Sequence, residues 1–152
     1  MTSAPRRVIA GLDGQGKSCV LSDGVIAFPD RVEVMEVANI WTGALGPADN
    51  GAPLEEGLQP FSLDRLFGPF YSFMFVEYAP GMGREDPGMH STNTADHFFV
   101  LAGEVVLVLE SGDVILRAGD IGICRGVMHG WRNDTAKPAR LVTFVLPASP
   151  LA

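Results

Sequence analysis

Turn-forming residues set the strongest limit on what this chain can become. Its 152 residues include 18 glycines and 11 prolines, with no Gly-X-Y period. Glycine adopts backbone angles that other residues resist, and proline lacks a backbone donor, so both interrupt helices. The apolar runs left between them are short. Many short strands joined by turns fit that texture, and a helical bundle does not. Apolar residues make up 47% of the chain and charged residues 19%, which rules out wholesale disorder and leaves enough material for a core. The length is that of one domain, and no internal repeat or low-complexity tract divides residues 1–152.

The formal net charge is −7, and no basic cluster is larger than Arg6-Arg7. A nucleic-acid partner needs a basic face, so none is expected. An anionic membrane surface is disfavoured for the same reason. Apolar runs such as Val105–Leu109 are far too short to span a bilayer. The first residues carry no apolar stretch of the secretory kind. Cys19 and Cys124 stand far apart without metal-type spacing, so they read as two free thiols, and a cytoplasmic location is expected.

Hydrophobic alternation and turn signals place the elements. Arg6–Gly11, Ser18–Leu21 and Val32–Trp41 read as strands. Residues 43–60 read as a long irregular loop. Ser62 can cap one or two helical turns over 62–67, with Leu63, Leu66 and Phe67 on one face and Gly68 as the stop. Strands are then expected at Tyr71–Tyr78, His97–Ala102, Glu104–Glu110, Asp113–Arg117, Gly122–Arg125, His129–Asn133 and Arg140–Pro147. Ser111-Gly112 makes a hairpin turn. Both faces of Val105–Leu109 are apolar, which points to a sandwich or a closed barrel.

All three histidines, His90, His97 and His129, lie in the C-terminal half. Two imidazoles and the Asp96 carboxylate are the donor set of a facial triad for a divalent transition metal. Without metal, the same groups are a general acid/base pair with an orienting carboxylate. Asp96 could instead cap the turn before the next strand. If Asp96 points inward along that strand, His97 points outward. Trp131 shares parity with His129 and reads as pocket wall or as core. Phe73, Met74, Phe75 and Tyr78 read as core, with one face free to line a pocket; Phe75 is the residue assigned to substrate binding. Cys124 reads as a buried, inert thiol. Arg125, Arg132 and Arg140 read as surface ion-pair partners, with a substrate carboxylate as the other use.

The segment from Met89 to Glu104, MHSTNTADHFFVLAGE, resembles the first motif of the cupin superfamily. His90 matches that motif's first histidine, and Asp96 to Gly103 keeps its six-residue interval. The segment from Gly119 to Asn133, GDIGICRGVMHGWRN, resembles the second motif through Gly126, His129 and Asn133. The likeness runs from about Tyr71 to Pro147. It departs from the family pattern at Thr92, which replaces the second metal histidine, at Asp96 in place of glutamate, and at Cys124 in place of proline. The resemblance implies an all-β jelly-roll barrel, a double-stranded β-helix, with a small-molecule pocket in its mouth. It also implies a homodimer whose N-terminal strands, within 5–42, pair across subunits. His90, Asp96 and His129 become the expected catalytic residues, and Trp131, Thr92 and Phe75 the expected substrate contacts. The expected cofactor is one divalent transition metal (Fe, Mn, Zn or Ni) on His90, Asp96 and His129, or none. The expected function is an enzyme on a small organic substrate, of lyase, decarboxylase, isomerase or dehydratase type. Metal-dependent oxygenase chemistry fits the metal-loaded version alone. The alternative is a non-catalytic binding module, a sensor or carrier.

Overall fold

A computed structural model describes residues 5–26, 30–32 and 35–151. In chain order it contains β1 (Arg6–Leu12), β2 (Ser18–Val25), β3 (Asp30–Val32), β4 (Met35–Ala44), α1 (Leu54–Gly57), α2 (Leu63–Leu66), β5 (Phe70–Tyr78), β6 (Thr94–Ala102), β7 (Glu104–Leu109), β8 (Val114–Arg117), β9 (Ile121–Arg125), β10 (His129–Arg132) and β11 (Ala139–Pro147). Of the expected strand Val32–Trp41, Glu33 and Val34 lie outside the described residues.

The strands form an antiparallel jelly roll. A six-stranded sheet runs β3-β4-β5-β11-β6-β9, and a three-stranded sheet runs β10-β7-β8. β1 and β2 pair only with each other, as a separate hairpin. β4 lies inside the large sheet, paired with β3 and β5 of its own chain.

Alternation along the strands decides what faces the core. On β5, Met74, Val76 and Tyr78 turn inward. On β11, Leu141 and Val145 do so, and on β6, Phe98 and Val100. Register keeps these rows together: Leu141 lies opposite Val76 on one side and Val100 on the other. Phe73 and Phe75 take the opposite face.

Two elements differ from the sequence expectation. Within the expected loop 43–60, β4 continues to Ala44, and Leu54–Gly57 forms one helical turn after Pro53. A single turn has no periodicity to read. Gly57 sits against the Trp41 ring, where a side chain would collide. β6 begins at Thr94, three residues before the expected start, so Asp96 is a strand residue instead of a turn cap. Thr94-Ala95-Asp96 is too polar to announce a strand by itself; pairing with β9 and β11 supplies the order. α2 follows the expectation, with the Ser62 side chain accepting a hydrogen bond from the Arg65 amide at 3.2 Å.

Asn133 ties the far end of the barrel together. It is fully buried. Its amide donates to the carbonyls of Tyr78 (3.0 Å) and Lys137 (2.8 Å). Its oxygen accepts from the Thr135 amide (2.9 Å) and hydroxyl (2.8 Å). Asn133→Ala strands these partners in a closed space, which should cost roughly 2–3 kcal/mol. Urea unfolding should show a lower midpoint at unchanged slope.

Candidate functional site

Each side chain of the site is placed by a local backbone device. His90 lies in the connection between β5 and β6, outside any strand. Its amide donates to the His129 carbonyl at 2.8 Å, and the His129 amide donates back to the His90 carbonyl at 2.9 Å. This isolated antiparallel bridge sets the two residues side by side. Their ring centroids are 4.5 Å apart, tilted by 50°. Glycines make the approach possible. Gly126 has φ of 65°, and a side chain there would press on the Thr92 carbonyl at 3.0 Å. At Gly130 a side chain would meet the Pro87 carbonyl at 2.6 Å. Both positions suit glycine because it has no Cβ.

The tautomers of both histidines follow from their partners. His90 Nδ1 lies 2.7 Å from the Gly88 carbonyl, and His129 Nδ1 lies 2.9 Å from the Val127 carbonyl. A carbonyl only accepts, so each Nδ1 carries a proton, and in its neutral form each ring offers its lone pair at Nε2. The Gly88 carbonyl is itself oriented by a turn in which Asp86 Oδ1 accepts from the Gly88 amide at 2.9 Å.

The surroundings of the two rings differ. His129 is 2% exposed, whereas His90 is exposed at the cavity mouth. Burial pushes the His129 pKa below its ordinary 6.5. The Val127 carbonyl opposes that shift, His90 adds to it, and Asp96 opposes it. His129 is therefore a neutral base at pH 7. Burial, aided by the Asp96 charge, pushes the Tyr78 pKa well up, so its hydroxyl stays protonated. The same two causes raise the Cys124 thiol, against a smaller opposing contact with Val127. The thiol is buried and inert, and both cysteines are free.

These groups open on a cavity of about 630 Å³ between the two sheets. Its walls are Met74, Val76, Tyr78, Phe98 and Trp131. Trp131 stacks on Tyr78 at 5.5 Å and meets the Phe98 edge at 5.2 Å. Phe61, Leu63, Leu66 and Phe67 cover one side. Asp96 projects from β6 into this space, and its Oδ1 is buried without any hydrogen-bond partner. A second cavity, of about 560 Å³, lies between β1 and the outer sheet face and has no His, Asp or Glu in its lining.

Of the residues read from the sequence, His90, Thr92, Asp96, His129 and Trp131 all line the main cavity. Phe75 does not. It is a buried residue of the opposite sheet face, with the Arg140 guanidinium 5.8 Å from its ring centre. Both faces of β5 are apolar, so composition gave no parity; the register with β11 does. His97 faces away from the cavity, as alternation requires. Arg132 is paired with Asp113 and Asp134, and Arg140 with Glu77; neither reaches the cavity, nor does Arg125. The apolar face read from Leu63, Leu66 and Phe67 lies along one side of the cavity.

The molecule is thus an antiparallel jelly roll holding an open, ligand-sized cavity with a histidine pair at its mouth. Residues 74–145 match the family described as Cupin domain, and this part of the chain is a cupin domain. Among curated proteins, the chain is 42% identical over 78 residues to "Cupin-domain-containing oxidoreductase srdB" of Neurospora crassa, covering 50% of this chain and 38% of that one. It is 35% identical over 79 residues to "Oryzines biosynthesis cluster protein J" of Aspergillus oryzae, covering 51% and 42%. The chain spans less than half the length of these relatives. Among solved structures, the Schizosaccharomyces pombe Cnp3 cupin domain superposes with a TM-score of 0.53 over 93% of this chain and 87% of that one, at 11% identity. That likeness is one of fold.

The metal expected from the family resemblance needs a converging donor set. Among the described residues, no group of three or more His, Cys, Asp or Glu side chains could hold a metal ion. Thr92, at the position of the family's second histidine, engages its hydroxyl with that of Thr94 at 2.6 Å. The residues present do not make a three-ligand centre, and two imidazoles alone hold a transition metal weakly. Protein purified without a polyhistidine tag should carry well under one Fe, Mn, Zn or Ni per chain by elemental analysis.

A histidine held neutral by burial also has a stability signature. Below pH 6.5 the unfolded chain protonates this ring while the folded chain resists, so the unfolded state binds more protons. Folding stability therefore falls as pH drops from 6.5 through the lower folded value. Proton NMR of His129 should titrate below 6.5, and the melting temperature should fall over that window. His129→Gln should flatten the decline.

Proposed function

We propose that this protein is an enzyme that moves a proton on a small organic molecule, in chemistry of the isomerase, dehydratase, decarboxylase or lyase kind. The observation that carries this reading is the histidine pair: a buried neutral His129 of set tautomer, touching a solvent-exposed His90, beside an unpartnered Asp96. A base is most effective when it is unprotonated at working pH and aimed at the substrate. Nδ1 of His129 is occupied by Val127, so Nε2 is the atom that takes the proton.

For a substrate with a carbonyl, the step is simple to balance. A C–H bond beside the carbonyl breaks and its electron pair moves toward the oxygen as an enolate. An N–H bond forms at His129 Nε2. In a substrate with a β,γ double bond the proton then returns to the γ carbon, which gives the conjugated isomer; in one with a β-hydroxyl it leaves with that hydroxyl as water. The Asp96 charge favours the imidazolium formed in between. His90, in contact with both His129 and solvent, relays protons between turnovers. Trp131 and Thr92 bound the substrate's position.

The curated relatives support a setting in small-molecule metabolism. Their names place several of them in biosynthesis clusters, for phomopsin and for oryzines. The rival reading, a binding module without catalysis, would use the same cavity. Deuterium exchange separates the two without knowledge of the natural substrate. Tetralone, an apolar ring ketone, is incubated with the protein in deuterium oxide, and label entering beside the carbonyl is followed by NMR. The native protein should outpace imidazole buffer of equal concentration. His129→Ala should reduce the protein-dependent rate by about 100-fold or more, and His90→Ala by less. Exchange no faster than buffer, or unaltered by His129→Ala, would remove the proton-transfer reading.

A further inference from the structure

The charge inventory of the cavity says what kind of molecule it takes. Among the described residues its lining contains no lysine and no arginine, while it contains two carboxylates, Asp86 and Asp96. Arg132 is engaged with Asp113 and Asp134 and Arg140 with Glu77, and Arg125 is absent from the lining. A carboxylate or phosphate ligand is normally met by arginine, lysine or a helix N-terminus. Nothing of that kind faces this space. An anion would have to enter a low-dielectric cavity beside Asp96 with no cation to offset the repulsion.

Asp96 also sets a positive requirement. Its Oδ1 is buried without a partner, and an ionised carboxylate only accepts hydrogen bonds. Asp96 lines the cavity, so a ligand hydroxyl can donate to its carboxylate from there. The rest of the lining is apolar and flat. Trp131 stacked on Tyr78 presents ring faces, with Phe98 set edge-on to Trp131. Met74, Met82 and Met89 add flexible thioethers that adapt to ring edges. At the opening, Leu63 (51%), Phe67 (58%) and Met89 (38%) line the cavity and remain exposed. An apolar rim of this kind attracts apolar molecules and offers nothing to sugars or phosphates.

We infer that the site selects uncharged, largely apolar ring compounds carrying a hydroxyl that donates to Asp96, and rejects carboxylates and phosphates. This rests on the cavity being the substrate site of the proposed enzyme, and it removes decarboxylation from the proposed chemistries, because that reaction needs a carboxylate substrate. About 630 Å³ is ordinary for a small organic ligand, within the roughly 300–1,000 Å³ of such sites.

Isothermal titration calorimetry at neutral pH tests the selection with three probes on one ring system: naphthol, naphthoate and naphthalene. Naphthol should bind the native protein at least about tenfold more tightly than naphthoate, a difference of about 1.4 kcal/mol. Naphthalene, which lacks the donor, should fall below naphthol. In Asp96→Asn the preference for naphthol over naphthoate should shrink, because the repelling charge is gone. Naphthoate binding as tightly as naphthol to the native protein would overturn the inference. So would an absence of naphthol binding up to its solubility limit, or a preference unchanged in Asp96→Asn. The measurement needs no turnover. Loss of the deuterium-exchange activity with the naphthol preference intact would sink the proton-transfer reading alone; the reverse result would sink the selection alone.

Discussion

Two reciprocal backbone hydrogen bonds, between His90 and His129, hold the site together. His90 belongs to a connection, and a connection of that length has no intrinsic order. Pairing it with the first residue of β10 turns one point of the loop into a strand-like bridge. The rings then meet at 4.5 Å. Everything functional follows from that contact: which nitrogen is free, which ring sees solvent, and which way the proton can travel. The bridge depends in turn on Gly126 and Gly130, whose missing side chains admit the Thr92 and Pro87 carbonyls. In the second motif those glycines are therefore space for the backbone, placed where the histidine needs it.

Strand alternation then sorts a chain rich in aromatic residues into two sets. Tyr78, Phe98 and Trp131 face the cavity. Tyr71, Phe73 and Phe144 gather on the opposite face, beneath β1. The first set stacks around a void that holds the titratable groups. The second closes a space with no His, Asp or Glu in its lining. The chemistry thus sits on one side of the large sheet, and that side is set by register alone, since a slip of one residue would exchange the sets.

Much of this could be read from the residues. The glycine and proline spacing gave the strand-rich class, and the joint order of the two motifs pointed to His90, Asp96 and His129 on one hollow. Ser62 announced α2. What could not be read depends on contacts distant in sequence. Phe75 and Met74 are both apolar, and nothing in Phe70–Tyr78 says which face meets β11's core row. Thr94–Asp96 has weak strand propensity and is ordered by its neighbours on both sides. The turn at Leu54–Gly57 is set by packing of Gly57 on Trp41, a partner in another element. Local pattern identifies strands; the pairing of strands decides what each side chain does.

Asp96 is informative because it is half-buried with its Oδ1 out of solvent and without a hydrogen-bond partner. Burying a polar atom in that way costs free energy that an apolar residue of similar size would save. The barrel does not need it: the same β6 face is otherwise Thr94, Phe98 and Val100, and core packing proceeds on either side. Arg132 and Arg140 bond to other carboxylates, and no arginine lines the cavity beside it. His129 feels the Asp96 charge, and burial keeps the ring neutral. The pair therefore gains most when a proton arrives on His129 and a donor arrives at Asp96. Both events occur together only if a ligand brings a hydroxyl to one and an acidic hydrogen to the other. A strained pair that is relieved by a particular ligand, and by its deprotonation, is the arrangement that differential binding of a transition state requires.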